Sequence, residues 1–400
     1  MCDAENQSKP WRLANNLYGN GTPALSLLHL EIEGFYNFIQ STATEFYLRA
    51  EAVRCIEDML VSIWPGASVE VFGSFRTGLN LPLSDIDLVV ENRKSYWYTP
   101  PLYELESELV ARGVADPQTV NVVDTAAVPV VKFTERVSQI KFDISFNVGS
   151  GVKAAELIKD LIQEFPDLPK LVMVLKQFLA MHGLNDVYRS GGISSYGITL
   201  MCIGFLQHQS QSNKKYNNNN RLGILLLKFL EYYGRKFDFN KYAISVTGKG
   251  GCETKEQLRS TMGNYNWQSF LSIQDPITPS NDIGRSSYAA LGVMKMFEAA
   301  FQKLSRLVDL DPSRITGPIL DSIVEVPQQV INYRDWVHYN FRHLVSSGSS
   351  SGPPPSPPSP GKILKRRRSS QYNDSKPCTT STSDGESTDG NANAPNMLEC

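Results

Sequence analysis

The chain has 400 residues, enough for about two domains with a sizeable core. Charged residues make up 20% and hydrophobic residues 41%, an ordinary globular composition, and a net charge of −2 leaves any grip on nucleic acid to local basic patches. Six cysteines and five histidines show no metal-ligand spacing and no disulfide framework, which favours a reducing compartment. The sequence predicts no signal peptide and no membrane span.

In chain order, the first half mixes helices and strands. Residues 1–24 are polar and predict a flexible N-terminus, and residues 25–48 predict a helical segment that docks on a later domain. A palm domain of α+β class is expected over residues 49–151. Its predicted helices span 49–63 and 102–112, and its predicted strands span 69–72, 85–90, 120–123, 128–133 and 139–146.

The second half is helical by its apolar period, and the sequence predicts a helical central domain over residues 152–345. The predicted helices are 152–165, 171–181, 197–209, 222–233 and 287–307. Residues 346–400 predict a disordered tail, rich in proline and serine and then in basic residues.

Residues 69–90 carry the strongest chemical signal. Two strand-like runs flank a turn that begins at Gly73 and Ser74, and the second run opens with Asp85 and Asp87. Because side chains alternate along a strand, the two carboxylates share a face. They are tolerable where a cation lies between them, and Mg²⁺ takes oxygen ligands while leaving room for phosphate. A glycine and a serine hydroxyl before this strand also suit a phosphate group.

A third carboxylate stands on the predicted strand 139–146, where polar and apolar side chains alternate and Asp143 lies on the polar face. If this strand neighbours the first, Asp143 lands beside Asp85 and Asp87 and completes a phosphoryl-transfer site. An EF-hand loop is excluded, because valines occupy positions 89–90, where it needs an oxygen ligand and a glycine. A glycosyltransferase Asp-x-Asp is the main competitor, and a solvated strand end is the plain structural alternative.

These motifs resemble the nucleotidyltransferase superfamily of DNA polymerase beta. The sequence of residues 72–90 is similar to a motif of the noncanonical poly(A) polymerases. It reads Phe-Gly-Ser-Phe-Arg-Thr-Gly-Leu-x-Leu-Pro-x-Ser-Asp-Ile-Asp-Leu-Val-Val. Within these it most resembles the nuclear, topoisomerase-related group of TRAMP-type catalytic subunits, with similarity from Trp11 to Phe341. The resemblance implies a nucleotidyltransferase palm followed by a helical, poly(A) polymerase-associated central domain.

Four further residues gain roles from the resemblance. The family lysine that matches Lys176 meets the triphosphate, and the serine and tyrosine that match Ser195 and Tyr196 bind phosphate and stack on the base. The glycine that matches Gly151 packs its backbone against the nucleotide. The residues alone leave other options open: Lys176 could lie along a helix edge, Ser195 could be a helix cap, and Tyr196 could be a core residue.

Residues 275–287 are, from the residues alone, a polar loop before a helix. By resemblance this loop is the nucleotide-recognition motif, with Asn281 reading the base edge and Arg285 nearby. Uridine-adding relatives carry a histidine just past this region. Here the first histidine after this loop is His338, which favours ATP.

The resemblance implies a template-independent RNA 3′-adenylyltransferase that uses ATP and Mg²⁺, with Mn²⁺ as a second option. Asp85 and Asp87 would bind both ions, and Asp143 would hold the ion at the RNA 3′-hydroxyl. The implied partners are RNA 3′ ends, a zinc-knuckle RNA-binding protein, an RNA helicase and, indirectly, the nuclear exosome in RNA surveillance; no membrane is implied. Two alternatives stay open: a nucleotidyltransferase with another acceptor or nucleotide, and a catalytically weak RNA-processing scaffold.

A basic cluster at residues 361–368 follows the proline-rich segment 353–360. It predicts nuclear targeting or an RNA-grasping tail, and a solvated charge run is the plain alternative. No known RNA-binding module is recognised in the sequence.

Overall fold

The computed structural model describes residues 12–92, 97, 99–126, 128–211, 217–248, 250–262 and 269–346. The predicted tail from residue 347 onwards, including the basic cluster, lies outside these residues, as do residues 1–11 of the N-terminus that was predicted to be flexible. Within the described part of the chain, no helix combines the length and the apolar character needed to cross a membrane.

A five-stranded mixed sheet forms the centre of the palm. Its strands are β1 Ala67–Phe72, β2 Ile86–Asn92, β3 Asn121–Val123, β4 Val130–Thr134 and β5 Lys141–Phe146. Their order is β1-β2-β5-β4-β3, and β2 and β5 run parallel while the other pairs are antiparallel. The apolar face of the sheet is buried, as alternation predicts. The predicted neighbourhood of the two aspartate-bearing strands is therefore present in the sheet.

The predicted palm contains α2 Ala43–Ile63, α3 Gly73–Thr77 and α4 Leu102–Ala111, and α5 Ser150–Glu164 begins where the helical domain was predicted to start. Helices α2 and α4 contribute to one apolar core with the sheet. Helix α2 begins six residues before the predicted start at position 49, because Thr42 and Glu45 form a reciprocal capping box. Residues 73–77, predicted as a turn, form one short helix that ends at Gly78 in the left-handed conformation.

The second core joins helices from both ends of the sequence. It contains α1 Ala24–Ile39, α6 Leu168–Met181, α8 Ser195–Ser210, α9 Arg221–Glu231 and α11 Ala290–Val308. The predicted helices of this domain lie within three residues of these bounds. Shorter elements complete it: α7 Val187–Ser190, α10 Lys255–Met262, and strands β6 Tyr242–Ile244 and β7 Cys252–Thr254. The two strands were not predicted, since three residues are too few to show a period.

The last helices, α12 Gln328–Phe341 and α13 His343–Ser346, return to the palm. Val337 is fully buried in the palm core, and α12 and α13 both pack on α2. The predicted helical domain includes residues 328–345, but the sequence predicts no helix there. In the structure α13 and the C-terminal part of α12 pack on the palm, while Val330 of α12 is buried in the core of the helical domain.

Arg334 links α12 to α2 and to the end of α1. Its guanidinium donates to both carboxylate oxygens of Glu45, at 2.8 and 3.0 Å, and to the carbonyls of Phe38 and Gln40 between α1 and α2. The side chains of Arg334 and Glu45 are only 10% and 6% exposed. Removal of either partner would therefore leave a buried group without its counter-charge.

Replacing Arg334 by alanine should lower the free energy of unfolding by about 3–5 kcal/mol, the usual cost of breaking a buried ion pair. The control is Arg112→Ala, since Arg112 pairs with Glu108 at 2.7 Å with both side chains more than one-third exposed. That variant should lose less than about 1 kcal/mol. The measurement is urea denaturation, and equal losses in the two variants would contradict the role given to Arg334.

Candidate active site

A cleft of about 1000 Å³ lies between the palm sheet and the helical domain. Nine of the predicted site residues line it: Gly73, Ser74, Asp85, Asp87, Asp143, Gly151, Lys176, Ser195 and Tyr196. Asn281 and Arg285 are exposed and lie outside its lining. The fold therefore brings together residues from positions 73 to 196, and it leaves the loop at 281–285 beside the cleft.

The three aspartates meet because of the sheet register. Asp87 and Asp143 are direct partners across the parallel β2–β5 pair, and Asp85 stands one residue before β2. Burial, then the charges of Asp143 and Asp85, raise the pKa of Asp87 to about 7. Burial also raises the pKa of Asp143. The site thus concentrates negative charge that the protein relieves only in part.

Lys132 supplies the partial relief, and the sequence analysis did not identify it. It lies on β4 directly opposite Asp143, and its ammonium forms an ion pair with that carboxylate. Lys132 also lines the cleft. The signal was present in the alternation of β4, which places a lone cation between buried Val131 and Phe133. Only the pairing of β4 with β5 shows which residue it faces.

Gly73 makes room for a carboxylate. A Cβ at this position would lie 2.0 Å from Oδ2 of Asp87, and the residue has φ of +62°. No side chain fits there without displacing Asp87. The sequence-based role, close approach to phosphate, stays a prediction. Ser74 is the next residue of α3, and its side chain lines the cleft.

Gly151 lies at the start of α5, where a Cβ would come within 2.5 Å of the ring of Phe72. Close packing on Phe72, which precedes Gly73, therefore explains the glycine in this structure. The contact ties α5 to the end of β1 and so to the wall of the cleft. Packing of the Gly151 backbone against a nucleotide stays a prediction.

Lys176 is buried, 5% exposed, and its ammonium donates to the carbonyl of Leu79 at 2.6 Å. Burial lowers the pKa of Lys176 to about 8, and the charge of Asp87 opposes that shift. The expected helix-edge alternative, with the ammonium in solvent, does not describe this side chain. Its cation instead holds the loop between α3 and β2 and lines the cleft near Asp87.

The start of α8 separates two roles that the sequence analysis had combined. Ser194 caps the helix by accepting from the amide of Gly197, whereas Ser195 is exposed to the cleft. Tyr196 is half-buried, and its hydroxyl donates to Asp275 at 3.4 Å. The hydroxyl-bearing end of the ring is thus held by a carboxylate that also lines the cleft.

Asp275 is a second residue that the sequence analysis missed. It is 8% exposed, and its carboxylate accepts from the side-chain Nδ2 of Asn281 at 3.2 Å as well as from the hydroxyl of Tyr196. Asn281 therefore connects to the cleft through Asp275 in this structure. Arg285 stays outside the cleft, four residues along the same loop.

Family models match both halves of the chain. Residues 28–163 match the central palm domain of mitochondrial-like poly(A) RNA polymerases, and residues 221–281 match a Cid1 family poly(A) polymerase domain. Trf4-2 of Drosophila melanogaster, which is described as an inactive noncanonical poly(A) RNA polymerase, is 64% identical over 86% of this chain and 85% of its own length. The chain belongs to the noncanonical poly(A) RNA polymerase family. The predicted family is thereby confirmed.

Other members sharpen this placement. A poly(A) RNA polymerase protein 1 from Eremothecium gossypii is 35% identical over 82% of this chain and 52% of its own length. The chain spans about half of the fungal poly(A) polymerases that it matches. A structure of the TRAMP polymerase core is 31% identical, with a TM-score of 0.69 over 80% of this chain and 100% of that one. The predicted nucleotidyltransferase fold of α+β class is confirmed.

The Cid1 poly(U) polymerase, solved with MgATP, shows likeness in fold at 22% identity, with a TM-score of 0.60 over 74% of this chain and 98% of that one. Among the described residues of this chain, no three or more His, Cys, Asp or Glu side chains are already arranged closely enough to hold a metal ion. The donor set nevertheless fits a hard divalent cation. Three carboxylates line one cleft, and the pKa of Asp87 is raised in part by the charges of the other two.

Proposed function

We propose that this chain is a template-independent RNA 3′-adenylyltransferase that transfers AMP from ATP to RNA 3′ ends. The observation that carries the proposal is the register of the parallel β2–β5 pair, which aligns Asp87 with Asp143 beside Asp85 in one cleft. Mg²⁺ or Mn²⁺, when bound, would stabilise the attacking and leaving oxygens at the α-phosphate. Asp85, Asp87 and Asp143 would hold the ions.

The chain's own residues would orient the substrates around this centre. Ser74 and Ser195 offer hydroxyls to the triphosphate from opposite sides of the cleft. Tyr196 would stack on the base, and Asp275 fixes the outer end of its ring. Lys176 holds the loop that leads into Asp85, and its charge would offset that of the incoming phosphates.

A second candidate is a catalytically weak RNA-processing scaffold, which the 64% identity to the inactive Drosophila relative favours. The presence of all three aspartates in one cleft favours the enzyme. A nucleotide-incorporation assay with labelled RNA primer, Mg²⁺ and each of the four NTPs in turn distinguishes the enzyme from the scaffold. Incorporation of AMP is expected. Incorporation of UMP would indicate another nucleotide specificity, and a chain that binds ATP without incorporating any nucleotide would be the scaffold.

The base-contacting roles give a specificity prediction. Stacking does not distinguish bases, so Tyr196→Ala should raise KM for all four NTPs by a similar factor. The factor should correspond to about 1–3 kcal/mol of lost stacking free energy. Tyr196→Phe is the matched control, because it removes only the hydroxyl that donates to Asp275. It should keep most of the affinity. If Tyr196→Ala leaves every KM unchanged, Tyr196 is only a packing residue.

Asn281 should discriminate. A base-edge hydrogen bond favours one nucleotide, so Asn281→Ala should narrow the gap in kcat/KM between ATP and the other NTPs. The contact with Asp275 gives the alternative outcome, in which Asn281 only positions the loop. In that case all four values of kcat/KM fall by the same factor. Measuring kcat/KM for each NTP decides between the two.

We propose that this activity takes place in the nucleus, in RNA surveillance linked to exosome decay. The likeness to the TRAMP polymerase core and the basic cluster at residues 361–368 support the proposal. A zinc-knuckle RNA-binding protein and an RNA helicase would be the partners. Deletion of residues 361–400 should shift a fluorescent fusion out of the nucleus while leaving catalysis on short RNA nearly intact. Unchanged nuclear fluorescence would defeat the targeting assignment.

A further inference from the structure

A rim of exposed aromatic and basic side chains borders the cleft on the side of the helical domain. It consists of Tyr188, Arg189 and Tyr288. Tyr188 lines the cleft and is 88% exposed, and Tyr288 is 73% exposed. The side chain of Arg189 is 86% exposed. None of these three residues has a part in the nucleotide site described above.

The rim is a joined structure, although its two tyrosines are 100 residues apart in sequence. The hydroxyl of Tyr288 donates to the carbonyl of Arg189 at 3.3 Å. The amide of Ala289 donates to the carbonyl of Gly191 at 2.9 Å. The ring of Tyr288 also covers Gly191, where a Cβ would lie 2.4 Å from ring atoms. The support of both rings is therefore fixed before any ligand arrives.

The burial of the two tyrosines differs in a useful way. Tyr288 has a packing function because it covers Gly191, whereas Tyr188 leaves nearly all of its ring in solvent. Single exposed apolar residues are ordinary on protein surfaces. Two such rings stand on linked backbone segments, and one of them lines the cleft, so exposed aromatic surface is available at the cleft.

The charge of the rim suits a nucleic acid only moderately. Arg189 carries the cation, but its Nε lies 3.9 Å from Oδ2 of Asp186, which offsets part of that charge. Arg285 is exposed on the loop that leads to Tyr288. Stacking is therefore expected to contribute more than phosphate contacts. Such a balance suits single-stranded RNA, whose bases are available, and does not suit a duplex, whose bases are paired.

We propose that Tyr188, Arg189 and Tyr288 bind the single-stranded RNA segment just upstream of the reacting 3′ end. The inference rests on the proposed function, since it names where the acceptor strand of that reaction lies. The rim would supply a surface for unpaired bases at the cleft that the three carboxylates line. Tyr188 would stack on a base at the cleft mouth, and Tyr288 would extend the platform outwards.

The test is fluorescence anisotropy of a labelled 15-nucleotide oligo(A) with the full chain in EDTA, so that binding is measured without chemistry. Tyr188→Ala should weaken binding by about 5- to 10-fold, the lower part of the range for one lost stack. Tyr188→Phe should restore it. Arg189→Ala should reduce the slope of log affinity against log salt by about 0.7, the value for one phosphate contact on a single strand.

Tyr339→Ala is the matched control, because Tyr339 is 74% exposed on α12 and does not line the cleft. It should bind the 15-mer like the unaltered chain, and ATP affinity should be unchanged in every rim variant. An RNA duplex of the same length should compete poorly. Unaltered RNA affinity in Tyr188→Ala, equal competition by the duplex, or no binding by the unaltered chain would each overturn the proposal. An unaltered chain that binds the 15-mer but incorporates no nucleotide would instead count against the adenylyltransferase activity.

Discussion

Replacement of Asp87 by asparagine should reduce AMP incorporation by about 10³-fold or more, because several kcal/mol of transition-state stabilisation depend on the ions that this carboxylate would hold. The same change should stabilise the metal-free protein. Ionising Asp87 in the folded state is unfavourable, since its pKa is raised from 3.8 to about 7 by burial and by the charges of Asp143 and Asp85. Asparagine removes that cost while keeping the shape.

The stabilisation should depend on pH in a defined way. Below about pH 3.8 the carboxyl is protonated in the folded and the unfolded chain alike, and the variant gains nothing. The gain grows between about pH 4 and 7 and is constant above about 7, at no more than about 4 kcal/mol. Thermal unfolding in EDTA at pH 4 and pH 8 measures it. A variant that is inactive and also less stable at pH 8 would indicate a damaged fold, and full activity would refute the metal assignment.

Competition between protons and Mg²⁺ for Asp87 also predicts how the Mg²⁺ affinity of the unaltered chain depends on pH. Metal ions bind the ionised carboxylate, so affinity should fall as the pH drops below about 7 and should level off above it. Isothermal titration of the chain with Mg²⁺, without nucleotide, gives this dependence directly. An affinity that is constant from pH 5 to pH 8 would mean that Asp87 does not bind the ion.

Replacement of Gly73 by alanine should also remove most of the activity, for a steric reason. The added Cβ would stand 2.0 Å from Oδ2 of Asp87, so the carboxylate must move away from its partners. Displacement of a catalytic group by about 1 Å can cost on the order of 10²-fold in rate. Incorporation assays with Mg²⁺ titrated over a wide range should show a lower maximal rate and a higher Mg²⁺ concentration at half-maximal rate.

Gly78 provides the matched control, since it ends the same short helix. Its φ of +76° resembles the +62° of Gly73, but nothing lies within 4 Å of a Cβ built there. Gly78→Ala therefore carries the left-handed strain, on the order of 1 kcal/mol, without the collision. It should retain most of the activity. Equal losses in the two variants would show that backbone strain, and not the carboxylate, causes the effect.

The sequence by itself determined the two-part organisation, because hydrophobic period is a local property. The period of two set the β2 and β5 strands, and it predicted a shared face for Asp85 and Asp87, which both line the cleft. The period of 3.6 placed five helices of the second half to within three residues, whereas α7, α10, α12 and α13 were not predicted. The family also followed from sequence alone, since residues 72–90 carry the motif in one unbroken stretch.

Only the tertiary structure decided how these pieces meet. The partners Lys132 of Asp143, Phe72 of Gly151 and Leu79 of Lys176 come from pairing and packing between segments that no local period connects. The same reason explains why α12 returned to the palm and why Asp275 lies between Tyr196 and Asn281. A side chain's chemistry is written at its own position, but its neighbour depends on strand register and core packing, which are properties of the whole chain.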